Sequence, residues 1–226
     1  CWGCDKVLVF DLVNNRWNKP ITVGDNPNEM LLTADGKLLY VCNANDNSVS
    51  VIDVKNKIVI ETLDAALFPN SPSGSTTNSL AIDPVAKRLY IANADNNCLA
   101  VFDIQKKGFS FGTGFIPVGW YPTNVKVVNK KIFVTNGKGF SSFPNINGPN
   151  PIARKQTVNY QKSDNATTLK VEYIGGLMKG TMSIIDEPSD LELSNYSKTV
   201  YQNTPYTKEK EIFVKGEIKW RQPGVQ

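Results

Sequence analysis

The sequence predicts an all-β chain, a partial β-propeller of about three and a half four-stranded blades, with a long b–c loop insertion and a short C-terminal helix. Two observations carry the prediction. A two-part unit repeats: Tyr40-Val41-Cys42-Asn43, then Asn47-Ser48-Val49-Ser50-Val51-Ile52-Asp53, returns as Tyr90-Ile91-Ala92-Asn93, then Asn97-Cys98-Leu99-Ala100-Val101-Phe102-Asp103. Ile132-Phe133-Val134-Thr135-Asn136 starts it a third time and Thr181-Met182-Ser183-Ile184-Ile185-Asp186 finishes it. The matching asparagines stand 50 and 43 residues apart. A period of this length made of short strands marks a propeller.

The elements follow in order. Residues 5–12 are the second half of a unit. In the first complete unit, strand a is Asn28–Leu32, strand b Lys37–Val41, strand c Ser48–Val54 and strand d Lys57–Glu61. Each is rich in apolar and β-branched residues that alternate or cluster. Ala34-Asp35-Gly36-Lys37 is a hairpin turn with Asp-Gly supplying positive φ, and Lys55-Asn56 turns c into d. The second unit has Leu80-Ala81-Ile82, Arg88–Ile91 and Cys98–Ile104; the third has Asn124–Val128, the turn Asn129-Lys130, and Lys131–Thr135. Glu187-Pro188-Ser189-Asp190 opens a helix carrying Leu191, Leu193, Tyr196 and Val200, stopped at Asn203-Thr204-Pro205-Tyr206. The expected organisation is a propeller segment over 1–206, with units of about 1–23, 24–67, 74–107 and 115–206, and a linker or two weak strands over 207–226.

The third unit is interrupted. Its b–c turn is expected to hold a structureless insertion over 137–180, and a loop of that length is commonly functional. Gly137 to Pro151 is rich in Gly, Pro and Asn but lacks the phosphate-loop spacing GxxxxGK[ST]. In antiparallel sheets the b–c turns and d–a connections leave at the same end. The insertion therefore shares a rim with Gly119-Trp120-Tyr121-Pro122, where two aromatics form a docking face or pack between blades. The candidate binding residues are Trp120, Tyr121, Lys138 and Arg154.

Other residue sets are given structural roles. Asp11, Asp53, Asp103 and Asp186 end strand c before a turn, where carboxylates cap backbone N–H groups. Asn43, Asn93 and Asn136 end strand b in the same way. Cys42 and Cys98 are expected to be small buried thiols in strands. Cys1 and Cys4 form a lone CxxC whose role is left open. The repeat phase puts Cys1 inside a b–c turn, which favours a truncated chain over a lipid-bearing first residue. No catalytic, metal or cofactor site is expected.

Bulk composition agrees. The 226 residues carry a net charge of +4, too balanced to argue for nucleic acid, and no long uncharged apolar run, so no membrane insertion is expected. Histidine is absent, which removes the commonest general base and zinc ligand.

Leu39-Tyr40-Val41-x-Asn43, Val49–Asp53, Gly24-x-x-Pro27 and Gly119-x-x-Pro122 resemble YVTN-type β-propeller repeats. Four further elements occur in order: Thr135–Gly139, Pro144-Asn145-x-x-Gly148-Pro149, Tyr173-Ile174-Gly175-x-Leu177-x-Lys179-Gly180, and Tyr196-x-x-x-Val200-x-x-Asn203-x-Pro205-Tyr206. They resemble bacterial envelope proteins in which such a propeller precedes an alkaline-phosphatase-superfamily phosphoesterase domain. The resemblance implies a periplasmic or envelope location. It also implies partners within the same protein, namely the missing blades and a downstream phosphoesterase-type domain. The metal-binding residues of that domain would lie beyond residue 226, so no catalytic role is carried onto this chain. The implied function is a non-catalytic scaffold or binding face for the hydrolase. A free-standing module binding glycan, peptide or nucleic acid is the alternative. A propeller enzyme such as a sugar lactonase is disfavoured by the absence of histidine and of a closed ring.

Overall fold

The computed structural model describes residues 1, 3–69, 71–141, 145, 148 and 173–204, and the backbone of 156–158 and 169–171. It begins with a half-blade: β1 (Lys6–Val7) pairs with β4 (Ile21–Thr22), and β2 (Phe10–Asp11) pairs with β3 (Arg16–Trp17). The first full blade is β5 (Pro27–Leu32), β6 (Leu38–Asn43), β7 (Ser48–Asp53) and β8 (Ile58–Asp64), each antiparallel to the one before. The second is β9 (Thr77–Asp83), β10 (Arg88–Asn93), β11 (Cys98–Asp103) and β12 (Phe111–Pro117). The third joins β13 (Trp120–Val128) and β14 (Lys131–Gly139) across the insertion to β17 (Thr181–Asp186). These sheets form the partial propeller that the repeat predicts.

The turns follow from residue chemistry. Asn129 and Lys130 both take positive φ (50° and 60°), the left-handed pair that a tight hairpin needs to match strand twist. In the Asp35-Gly36 turn, Gly36 alone takes positive φ (68°). Asp35 instead accepts bonds from the Thr33 hydroxyl and the Lys37 amide. These bonds, the hydroxyl's first, pull its carboxyl down to about 2. Asp11, Asp53 and Asp103 accept amide hydrogens from the turn that follows each, while Asp186 pairs with the Lys131 ammonium.

Apolar side chains from facing blades close the core. Tyr40, Cys42, Val49 and Val51 of the first blade meet Leu89, Ile91, Ala100 and Phe102 of the second. The other face of the second blade (Tyr90, Leu99, Val101, Ile116) meets Val125, Ile132 and Val134 of the third. Val7 and Ile21 of the half-blade cover Val41 and Ile52. First strands adjoin one another: Asn28 donates to Asn78, and the Val125 amide donates to the Ser79 hydroxyl. Cys42 and Cys98 are fully buried, and burial pushes the Cys98 thiol up to about 12. Cys1 and Cys4 are joined by a disulfide.

The helix α2 (Asp190–Asn203) is capped by Ser189, whose side chain accepts the Glu192 amide while the Glu192 carboxylate accepts the Ser189 amide. Leu193 and Val200 are buried. Leu191, expected on the same face, is 73% exposed, because two residues of helix turn it about 200° from Leu193. The helix lies against β12. Ser197 receives the Phe115 amide at 2.8 Å, and a Cβ at Gly114 would stand 2.5 Å from the Ser197 hydroxyl, so glycine is what admits the helix. Tyr201 donates to the Leu67 carbonyl at 2.9 Å.

The insertion departs from the structureless expectation. β14 continues into it as far as Gly139, because Trp120 pairs with Gly139 and prolongs the ladder. It also holds β15 (Gln156–Val158) parallel to β16 (Leu169–Val171), and a single helical turn α1 (Ile174–Leu177). The tail 207–226 lies outside the described residues. Among the described residues no helix is long and apolar enough to cross a membrane.

Candidate functional site

The matching asparagines set the geometry of the rim. In the first blade the Asn43 carboxamide donates to the Ser48 and Ser50 hydroxyls; in the third, Asn136 donates to Thr181 and Ser183 at equivalent positions. The preceding glycine packs on each carboxamide. A Cβ at Gly24 would stand 2.7 Å from Asn43 Cγ, and one at Gly119 would stand 2.7 Å from Asn136 Cγ. In the second blade Cys98 and Ala100 replace the hydroxyl residues, and Asn93 reaches back to the Ala65 carbonyl of the first blade at 2.6 Å.

Gly119 leads into Trp120 and Tyr121, which form the first residues of β13 rather than a loose connection. The ladder is bulged between Trp120 and Pro122 and again before Asn124, and Tyr121 takes φ 60°. Bulges at a strand end re-aim side chains. Trp120 is 41% exposed. The Tyr121 amide donates to the Asn97 side chain at 2.8 Å, tying the third blade to the b–c turn of the second. Lys138 Nζ lies 4.4 Å from the Tyr121 ring centre, a cation–π distance. Trp120, Tyr121 and Lys138 therefore gather on one rim at the mouth of the insertion. Arg154 lies outside the described residues.

Beside Trp120 lies a cavity of about 430 Å³. Its walls are the b–c turn of the second blade (Asp95, Asn96, Asn97), the approach to β13 (Pro117, Val118, Trp120), and the end of α2 (Val200, Asn203, Thr204), with Leu67. Asp95, Asn96 and the helix end are residues that sequence reasoning missed. Asp95 sits in a turn whose composition signals only a reversal, and although the stop of the helix at Asn203 is legible, no local pattern tells which turn its end will pack beside. Among the described residues no group of three or more Cys, Asp or Glu side chains gathers as a metal site.

No family model matches the chain, and no curated protein matches it either. Many solved structures do. A putative 6-phosphogluconolactonase from Bacteroides uniformis matches at TM-score 0.50 and 18% identity, over 59% of this chain and 41% of its own. Hydrazine synthase of Kuenenia stuttgartiensis matches at TM-score 0.48 and 24% identity, over 59% of this chain and 36% of that one. A nidogen/laminin complex matches at TM-score 0.44 and 15% identity, covering 59% and 48%. The chain thus spans less than half the length of these solved chains. At 18% identity the Bacteroides uniformis match bears on the fold alone, and it agrees with the partial β-propeller that the sheets form.

Proposed function

We propose that this chain is a non-catalytic propeller segment whose insertion-bearing rim serves as a scaffold and binding face for a neighbouring hydrolase domain. The observation that carries the reading is the gathering of Trp120, Tyr121 and Lys138 where the start of β13 meets the end of β14, at the mouth of the insertion. Tyrosine and tryptophan are enriched at interfaces, and here both stand at the mouth of a long insertion. In this reading the segment is of the YVTN type, its neighbour is a phosphoesterase of the alkaline-phosphatase superfamily, and the whole protein resides in a bacterial periplasm or envelope. A Cys1–Cys4 disulfide suits an oxidising compartment. Further blades of the same protein would cover the two end faces. Phe10 and Trp17 stand exposed at one of them, Met182 and Ile184 at the other.

The test is made in the full-length protein. Deleting residues 140–172 is expected to lower phosphoesterase turnover or change its substrate selectivity while the propeller stays folded by circular dichroism. Unchanged turnover and selectivity in a folded deletion would refute the scaffold reading.

A further inference from the structure

The cavity beside Trp120 has a one-sided chemistry. Its walls include a carboxylate (Asp95), carboxamides (Asn96, Asn203), an indole (Trp120) and the end of α2, and among the described residues no Lys or Arg. The helix end points the same way. The last turn of α2 contains no basic residue, so the partial negative charge of its terminal carbonyls is not offset from within the helix. Among the described residues Asp95 has no cationic partner, and it is held by the Thr76 hydroxyl. Lys138, the cation named on this rim, is engaged on the Tyr121 ring. The volume of about 430 Å³ falls within the ~300–1,000 Å³ of small-ligand pockets.

From these walls we propose that the cavity is a binding site for a small organic ammonium ion. The positive group stacks on the indole face of Trp120, where the ring quadrupole attracts cations. The Asp95 carboxylate and the carbonyl end of α2 supply the opposing charge, and Leu67, Pro117 and Val200 take the alkyl part. An anion would face the Asp95 carboxylate here, and a neutral ligand of the same shape would forgo its attraction. The inference rests on the rim being a binding face. It does not require a hydrolase domain to dock there, so a failed deletion test in the full-length protein and a failed cation test are separate outcomes.

The probe is choline, with 3,3-dimethylbutanol as its neutral isostere, titrated calorimetrically into the full chain. Choline is expected to bind with a dissociation constant in the millimolar range, and the isostere about tenfold more weakly or worse. Asp95→Asn and Trp120→Leu are each expected to weaken choline about tenfold, while Trp120→Phe keeps part of the affinity because its ring remains. Thermal melts confirm that each variant is folded. Equal binding of choline and the isostere, no choline binding by the folded chain, or full affinity in folded Asp95→Asn would each overturn the proposal.

Discussion

The second and third blades grow from one repeat and end differently. The second has four strands and is covered on both faces, so that Tyr90, Leu89, Ile91 and Leu99 are wholly buried. The third has three strands among the described residues, one face on the second blade and the other toward solvent, with Met182 58% and Ile184 60% exposed. Where a fourth strand would be expected the chain turns at Pro188 and runs as α2 back onto β12 of the second blade. The repeated residues thus build the inner strands alike, while a non-repeated element finishes the outer edge. The cavity follows the same division. It forms where the end of that helix meets the repeat-built rim.

The largest expected effect tests the burial contrast. Ile91→Ala or Leu99→Ala in the second blade should cost about 2–5 kcal/mol, because each leaves a cavity in a two-sided core. Ile184→Ala in the third should stay within about 0.5 kcal/mol, being a solvent-facing change. Urea midpoints at constant slope measure both, and a comparable loss at Ile184 would mean that the third blade's outer face is covered in solution.

Next comes the seam between the two blades. Gly114→Ala should destabilise by about 1–3 kcal/mol, since its Cβ would push Ser197 and Leu193 off β12. The cost should shrink in a Ser197→Ala background, as neighbouring changes are not additive. Additive losses in the double variant would separate the helix from the glycine.

The smallest effect concerns acid. The Lys107 ammonium, followed by the Asn56 amide, holds the Asp53 carboxyl below its ordinary 3.8, and Asp35 is lowered to about 2. A carboxyl depressed in the folded state stabilises fully above its unfolded value and loses that contribution as pH falls through the folded one. Both groups lie in the first blade. Hydrogen exchange between about pH 4 and about pH 2 should therefore weaken first-blade amides before second-blade ones. Asp53→Asn should flatten that dependence, and an unchanged acid profile would assign it elsewhere.

Much of the fold was legible because each strand carries its own apolar pattern and each turn its own chemistry. Asn129-Lys130 and the helix entry at Ser189 are local signals, and both are found in place. The continuation of β13 back to Trp120 was not legible, because bulges let Pro122 sit in a ladder that its missing N–H would otherwise interrupt. The rim aromatics could be singled out as exposed-type residues beside a long insertion. The walls that make a cavity of Trp120 could not. Asp95 and Asn203 lie far apart in sequence, and it is tertiary packing of Leu193 and Val200, with the bonds of Ser197 and Tyr201, that brings the helix end to the turn.

The clasp of Ser197 on Phe115 spans 82 residues of sequence. During synthesis at ~5–20 residues per second, the edge of β12 would leave the ribosome roughly 4–16 s before the helix that covers it. For that interval a strand edge and the apolar side chains beneath it stand open to other nascent chains. The order of elements along the message, as much as the final contacts, sets how long this protein is vulnerable to misassembly.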